Sequence, residues 1–349
     1  MIKKDVIYHG DCIEKMASLP PKSIDMIFAD PPYFMQTSGC LNRGDGTRFQ
    51  GVDESWDKFT DLHAYDDFCR LWLTQCQRVL KPNGTIWVIG SLQNIYRLGY
   101  LMQEMGFWVL NEVIWTKPNA PPNFTGTRFQ NRHETLLWCS PKKGAPYTFN
   151  YQTLKLLNGG KQASSVWDIP ICLGPERLKG EDGKKLHATQ KPEKLLYQVI
   201  LTSTKPGDLI LDPFMGTGTT GAMAKKLGRH YIGIEREEKY VYEARKRIQS
   251  VKVQMDDVAN LIYDKKPPKV LFSHLLKNGI IKEGDVLYAP NHKKAVVLKN
   301  GDLKCGRLTA SIHQLAAKLQ NKNVSNGWYF WSILTKNGYQ PIDILRRKN

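Results

Sequence analysis

Leu209-Ile210-Leu211-Asp212-Pro213-Phe214-Met215-Gly216-Thr217-Gly218-Thr219-Thr220-Gly221 reads as a buried strand, a glycine-rich turn and the start of a helix. Gly216, Gly218 and Gly221 have G-x-G-x-x-G spacing, a weak signal by itself. A tight strand-to-helix turn that holds no ligand carries the same residues. The next strand-like run, His230–Ile234, leads to Glu235, 17 residues past Gly218. Glycines let backbone approach a ligand, and an acid at that place accepts ribose hydroxyls, so a nucleoside-bearing cofactor is expected. Asp212 ends its strand where a pyrophosphate would lie. A carboxylate repels phosphate and attracts an ammonium, which favours S-adenosylmethionine over a nicotinamide dinucleotide. Upstream, His187-Ala188-Thr189-Gln190-Lys191-Pro192 offers polar groups for the amino-acid end of such a cofactor. The plainer reading of that stretch is a helix with Pro near its start.

Outward from this stretch, strand-like and helix-like runs alternate up to about residue 250. Strands are expected at Val6–Tyr8, Ile24–Ala29, Thr85–Ile89, Phe107–Trp115, Glu134–Cys139, Asp208–Asp212 and His230–Ile234. Helices are expected at Cys12–Ser18, Tyr65–Leu80, Asn94–Met105, Leu195–Thr204, Thr219–Leu227 and Lys239–Ser250, with Lys81-Pro82-Asn83-Gly84 as a helix stop. Such alternation implies an α/β fold with a mostly parallel sheet covered on both faces, and ligands at the carboxyl ends of its strands. Three long polar segments interrupt the rhythm, Thr37–Thr60, Lys117–Arg132 and Asn158–Lys185. Loops of that length in a compact domain are usually functional or mobile. The first domain is taken as residues 1–255 and a linker as 256–270, around Pro267-Pro268. A small basic α+β domain follows at 271–349. Helices are expected there at Ser273–Asn278 and Ser311–Gln320, and strands at Val286–Tyr288, Lys294–Leu298 and Trp328–Leu334.

The run Ile24–Ala29 ends in Asp30-Pro31-Pro32-Tyr33. Each proline fixes its own φ, and the residue before each is pushed to an extended conformation. The result is a stiff corner with a carboxylate, carbonyl oxygens and an aromatic face. That set suits a planar amino group on a heterocycle, with the acid and a prolyl carbonyl each accepting one N–H. A Pro-Pro strand terminator with a surface tyrosine is the alternative.

Composition narrows the partner. The chain has 349 residues, 41% apolar, and a net charge of +17. Residues 261–349 hold 16 Lys/Arg against 5 Asp/Glu, a net of +11, so the last quarter carries most of the excess. Such a basic surface points to a polyanion. No apolar run approaches the roughly 20 residues of a membrane span, and the start carries no apolar leader. Seven scattered cysteines with no Cys-x-x-Cys pair argue against disulfides and zinc, so a reducing cytosol is expected and no metal.

Asp-Pro-Pro-Tyr, then His-x-Thr-Gln-Lys-Pro, then Asp-Pro-Phe-x-Gly-x-Gly-Thr is the motif order of the beta class of DNA amino-methyltransferases, which the chain resembles. Gly10-Asp11-Cys12-Ile13-Glu14, Trp87-Val88-Ile89-Gly90-Ser91, Gly126-Thr127-Arg128-Phe129 and Gly233-Ile234-Glu235-Arg236-Glu237 narrow the resemblance to the HinfI/CcrM subfamily. Ser311-Ile312-His313 and Asn326-Gly327-Trp328 resemble the small RAMA domain appended to those enzymes. The resemblance implies a circularly permuted Rossmann-like fold, S-adenosylmethionine as cofactor, a bacterial cytosol or nucleoid as location, and methylation of adenine N6 in GANTC after base flipping. It implies Asp30, Pro31, Pro32 and Tyr33 as catalytic residues, with Tyr33 stacking on the base and Asp30 ionised at its ordinary pKa. It implies that Asp11, Cys12, Ala29, His187, Ala188, Thr189, Gln190, Lys191, Asp212, Pro213, Phe214 and Gly216 line the methionine side of the cofactor. Thr217, Gly218, Thr219 and Thr220 follow along the nucleoside, and Glu235 with Arg236 takes the ribose. Candidates for contact with double-stranded DNA are Arg43, Arg48, Trp56, Asn123, Arg128 and His133, and in the tail Ser311, His313, Asn326 and Trp328. A homodimer and a cognate restriction endonuclease stay open as partners. A cytosine-N4 methyltransferase of the same class more often has Ser at the first motif position. An RNA or protein-glutamine enzyme usually has Asn there. A DNA-binding regulator with a dead methyltransferase fold, and a dehydrogenase, complete the alternatives.

Overall fold

The structure is a computed structural model describing residues 2–34, 41–42, 48–49, 57–123, 126–180, 183, 185–187, 189–253, 268–290, 293–335 and 338–347. Arg43, Trp56 and Ala188, the side chain of Arg48 and most of the 256–270 linker lie outside the described residues. The chain forms two compact units, 1–149 with 164–255, and 150–163 with 256–349. The segment 150–163, which the sequence placed in the first domain, therefore belongs to the second unit.

In the first unit the elements are β1 (Val6–His9), α1 (Cys12–Ala17), β2 (Ile24–Ala29), the short pair β3 (Leu41–Asn42) and β4 (Arg48–Phe49), α2 (Leu62–Val79), β5 (Leu80–Gly90), α3 (Ile95–Glu104), β6 (Trp108–Thr116) and β7 (His133–Ser140). After α4 (Tyr151–Leu157) of the second unit come β8 (Val166–Asp168), α5 (Glu193–Ser203), β9 (Leu209–Asp212), α6 (Thr219–Lys226), β10 (His230–Glu235) and α7 (Glu238–Ser250). Eight strands make one sheet in the order β1-β10-β9-β2-β5-β7-β6-β8. It is parallel except at β7, which runs antiparallel to both neighbours. Strand β9 lies beside β2, with Met26 opposite Ile210 and Ile27 opposite Leu211. From β9 the chain winds through α6 to β10 on one side, and from β2 through α2 to β5 on the other. The boundary between them is a topological switch point, where a crevice opens at the strands' carboxyl ends. The glycine turn after β9 and Asp30-Pro31-Pro32-Tyr33 after β2 both lie there.

The chemistry of each segment explains these elements. Strands β2 and β9 are apolar almost throughout because both faces are covered, and Ile24, Met26, Ile27, Ile210 and Leu211 are buried. Helix α1 starts where Asp11 Oδ1 accepts Ile13 N–H at 2.8 Å. Helix α2 is capped by Asp61 and turns Tyr65, Cys69, Trp72, Leu73, Cys76 and Val79 to the core. Helix α2 ends at Val79, just before Lys81-Pro82-Asn83-Gly84 as expected, but that stretch is not a loop ahead of the strand. It is an outward step inside β5, where the register jumps from Ile24 opposite Leu80 to Met26 opposite Thr85. The bulge tolerates Pro82 because no ladder bond is required of it.

The second unit adds α8 (Phe272–Lys277), β11 (Val286–Tyr288), β12 (Lys294–Val297), β13 (Leu303–Cys305), β14 (Leu308–Ala310), α9 (Ile312–Leu319), α10 (Gly327–Phe330), β15 (Ser332–Thr335) and β16 (Gly338–Pro341). Its strands form an antiparallel sheet, β14-β13-β12-β11-β15-β16. Its own core includes Leu156 of α4, Leu275, Leu287, Leu315, Trp328 and Trp331. The expected strand Trp328–Leu334 is divided, because Asn326 Oδ1 accepts Trp328 N–H and opens a helical turn. No helix among the described residues is long and apolar enough to cross a membrane.

Candidate active site

A cavity of about 280 Å³ fills the crevice of the first unit. Its wall brings together Asp11, Cys12, Asp30, Pro31, Pro32, Tyr33, His187, Thr189, Gln190, Lys191, Asp212, Pro213, Phe214, Gly216, Thr217, Thr219, Thr220, Glu235 and Arg236. These residues come from segments up to 225 positions apart, from Asp11 to Arg236, and the β2–β9 pairing brings the two halves together. Phe68 of α2, Tyr240 of α7 and Asp57-Lys58-Phe59 complete the wall without having been expected from sequence.

Among the described residues, two expected cofactor residues are not in that wall. Ala29 is fully buried in the core beneath the site. Gly218, at φ 80, faces α7, where an added Cβ would come within 2.8 Å of Ala244 Cβ. Gly221 is likewise crowded by Ile248 and Met215. Of the three motif glycines Gly216 lines the cavity, and a Cβ there would meet nothing nearer than His187 Nε2 at 3.6 Å.

The corner after β2 is braced from behind. Tyr65 O–H donates to the Pro32 carbonyl at 2.9 Å, and Asn94 Nδ2 donates to the same oxygen at 3.4 Å. Phe34 turns the chain at φ 51, and its N–H donates to Asp57 Oδ1 at 2.7 Å. Asp30 Oδ2 accepts from Lys191 Nζ at 2.6 Å, while Asp30 Oδ1 is buried with no hydrogen-bond partner among the described residues. An acceptor in that state costs free energy unless a ligand donor meets it. Burial raises the Asp30 pKa, and the Lys191 ammonium pulls it back, leaving it above the ordinary carboxylate value. The ordinary value expected from sequence therefore does not apply. Lys191 is itself buried; burial acts to lower its pKa, but Asp30 and Glu134 outweigh that and raise it. Its ammonium also sits 5.2 Å from the centre of the Tyr33 ring, so Lys191 touches the Asp30–Tyr33 corner as well as the cavity wall. Tyr33 is buried and its O–H donates to Glu134 Oε2 at 3.1 Å. The second Glu134 oxygen accepts from Lys117 Nζ at 2.5 Å. Burial acts to raise the Glu134 pKa, but Lys191 and Lys117 hold it below the ordinary value.

On the other side, burial lifts the Asp212 pKa to about 7, with Asp30 and Glu235 adding to it, although Phe214 N–H donates to Oδ1 at 2.9 Å. Glu235 is fixed by Gly216 N–H at 2.7 Å and Glu237 N–H at 2.8 Å, one to each oxygen. Each oxygen keeps a second acceptor direction for a ribose hydroxyl. Burial, helped by Lys191, Lys239 and Arg177, drops the His187 pKa to about 4, and Thr189 N–H donates to its Nδ1 at 3.1 Å. The imidazole is therefore neutral at pH 7 with its proton on Nε2. Cys12 is buried and its thiol is pushed up to about 12, so it is a wall and not a nucleophile.

The DNA candidates are dispersed. Arg128 and His133 are exposed, and Asn123 Oδ1 accepts Thr127 N–H at 3.1 Å. In the second unit, Ser311 and Asn326 cap α9 and α10, and His313 Nδ1 accepts Gly327 N–H at 3.0 Å. Gly327 is required there because a Cβ would lie 2.3 Å from the Ile312 carbonyl. Trp328, expected among the DNA contacts, is a core residue. It is buried against Phe272, with the Arg346 guanidinium 4.4 Å from its ring.

An α/β sheet that gathers the glycine turn after β9, Glu235 and the Asp30-Pro31-Pro32-Tyr33 corner in one crevice is the arrangement the resemblance to amino-methyltransferases implies. Residues 24–246 match the model of the DNA methylase family, and residues 253–348 match that described as Restriction Enzyme Adenine Methylase Associated. The chain is 53% identical over 343 residues to the Type II methyltransferase M.HinfI of Haemophilus influenzae, covering 98% of this chain and 96% of that one. It is 43% identical over 249 residues to the Type II methyltransferase M2.DpnII of Streptococcus pneumoniae, covering 71% and 90%. Among solved structures, M1.HpyAVI with SAM is 28% identical at a TM-score of 0.50, covering 69% of this chain and 98% of that one. The PvuII cytosine-N4 enzyme, 21% identical at a TM-score of 0.55 and covering 75% and 93%, shares the fold. The chain belongs to the DNA methylase family and is a DNA methyltransferase.

Proposed function

We propose that the protein transfers a methyl group from S-adenosylmethionine to adenine N6 within GANTC in double-stranded DNA, in the cytosol, with the target base rotated out of the duplex. The observation that carries this reading is Asp30 Oδ1, a buried acceptor without a partner at the mouth of the cofactor turn. An exocyclic amino group supplies the missing donor. The Pro31 carbonyl takes the other N–H, because that of Pro32 is already held by Tyr65. Two acceptors in fixed positions draw the nitrogen lone pair out of conjugation and set its direction, so positioning and electrostatics carry the rate.

The cavity suits the donor. Asp212 faces an ammonium, Glu235 has acceptor capacity for ribose hydroxyls, and Gly216 leaves room for the backbone to come close. S-adenosylmethionine supplies the electrophilic methyl group when bound. Lys191 keeps one Asp30 oxygen occupied, which leaves the other to orient the amine. The exposed Arg128 and His133, with Arg43, Arg48 and Trp56, supply DNA contacts in this reading. Rotating the base out costs a few kcal/mol, and the basic charge of the chain favours the polyanion that makes this worthwhile.

GANTC rests on the resemblance to the HinfI/CcrM subfamily, and 53% identity to M.HinfI over nearly the whole chain supports it. The Type II names of both relatives support a restriction–modification role with an endonuclease of the same sequence as partner. The test is methylation of a GANTC duplex with labelled S-adenosylmethionine, followed by nucleoside analysis. N6-methyladenine is expected. N4-methylcytosine, or equal labelling of a duplex whose GANTC is scrambled, overturns the respective part. A fluorescent adenine analogue at the target should brighten on binding, and an unchanged signal removes base rotation.

A further inference from the structure

We propose that Glu134 is a positioning residue for methyl transfer, setting the Tyr33 ring beside Asp30 while Lys117 clamps it at the neck of the 118–132 loop. The proposal rests on the reading of Asp30 and Tyr33 as the amine-binding corner. Glu134 is the second residue of β7, and its register partner Trp115 lies near the end of β6. The two strands are joined by the long polar segment, whose ends close through Lys117 N–H to the Arg132 carbonyl at 2.7 Å. Lys117 Nζ packs 5.1 Å from the centre of the Trp115 ring and pairs with Glu134 Oε1. The side chains of Lys117 and Glu134 are only 11% and 13% exposed, so this is a built feature and not a surface contact. Glu134 Oε2 takes the Tyr33 hydroxyl. A β-strand carboxylate with one oxygen on the loop neck and the other on the motif tyrosine fixes that ring from a part of the chain 101 residues away. Among the described residues no hydrogen bond or ion pair joins Glu134 or Lys117 to the glycine turn or to Glu235, and Lys191 meets the arrangement through the Tyr33 ring, 5.2 Å from its ammonium. Its loss should therefore change turnover and not cofactor binding.

The charge-neutral pair Lys117→Met with Glu134→Leu removes both partners together, which limits the fold's exposure to a stranded buried charge. The expected result is a single-turnover methylation rate lowered by about 10- to 100-fold, the range for losing a hydrogen bond to a charged group. The KM for S-adenosylmethionine should not change. Tyr33→Phe should lose as much in the parent protein, and should lose nothing further when added to the double variant. Independent, multiplicative losses overturn the proposal, as does a raised cofactor KM. Should the double variant fail to fold, Tyr33→Phe alone decides, because it disturbs no charge: a parent-level rate overturns the proposal. Asp30→Ala is measured beside these. If it keeps the parent rate, the reading of the corner fails, whatever the Glu134 variants do.

Discussion

Replacing Lys191 with Met should convert an ion pair into a buried lone carboxyl. Lys191 and Asp30 meet at 2.6 Å with side chains 8% and 18% exposed. Removing one member of such a pair typically costs about 3–5 kcal/mol, because the survivor stays in a low-dielectric site. Burial already raises the Asp30 pKa, and the Lys191 ammonium is the main influence holding it down. Without Lys191 the Asp30 pKa climbs further, and the group escapes the cost by binding a proton. The sign follows. A carboxyl whose folded pKa lies above its unfolded value binds more protons folded than unfolded. The variant's stability deficit against the parent should therefore shrink as pH falls and grow as pH rises. Activity moves the opposite way. The protonated acid is a poorer acceptor for the amine, so the acidic limb of single-turnover methylation should shift to higher pH and part of the lost rate should return in alkaline buffer. Thermal melts and rate profiles across pH 6–9 measure both. A Lys191→Met profile that superimposes on the parent's refutes the idea that the ion pair controls Asp30. Loss of cofactor affinity at an unchanged rate limb would instead return Lys191 to the cofactor site alone.

Asp212, at about 7, must be ionised to hold an ammonium. Cofactor affinity should strengthen as pH rises towards 7, by up to about tenfold per unit, and level off above; Asp212→Asn should flatten this dependence in calorimetric titrations. His187, at about 4 when folded, binds fewer protons than in the unfolded chain, so it should cost about 3 kcal/mol of stability as pH falls from about 6.5 to 4. Melts of His187→Gln should lack that part of the slope, and the imidazole resonances should not titrate between pH 5.5 and 8. Gly218→Ala combines left-handed backbone with a Cβ 2.8 Å from Ala244, and should cost about 2–4 kcal/mol by thermal denaturation. Unchanged melting would show that α7 yields there.

The apolar runs of β2 and β9 were legible because strands covered on both faces need unbroken hydrophobic sequence, and the residues that close them could be read as a corner and a turn. Glu134 was not legible, since a lone acid near the start of a strand carries no pattern; it becomes meaningful only when β7 places it opposite Tyr33. Phe68 and Tyr240 look like any core aromatic at helical spacing. The glycine turn was legible for the wrong reason at Gly218, whose freedom serves helix packing. Trp328 was misread because its neighbours Ser311, His313 and Asn326 are polar for the sake of two helix starts. Lys81–Gly84 has the composition of a stop but occupies a bulge.

What the sequence could not state outright was that β9 lies against β2, and one polar residue shows how the fold secures it. Asp25 interrupts the run Ile24–Ala29, where a solvent-facing residue would be the simple reading. Its Oδ2 accepts Leu209 N–H at 2.9 Å at the start of β9, and its Oδ1 pairs with Lys81 Nζ at 2.7 Å in the bulge of β5. One carboxylate thus joins three neighbouring strands at the end opposite the crevice. Apolar strands alone specify a face but only weakly a neighbour, since any Ile or Leu packs against another. A buried or half-buried acid that must meet a particular N–H and a particular ammonium does discriminate among neighbours. The outward step of Lys81–Gly84 is then the means by which β5 brings its lysine back to Asp25. The two motifs share a crevice because, at the far end of the same strands, alternative pairings would leave that carboxylate unsatisfied.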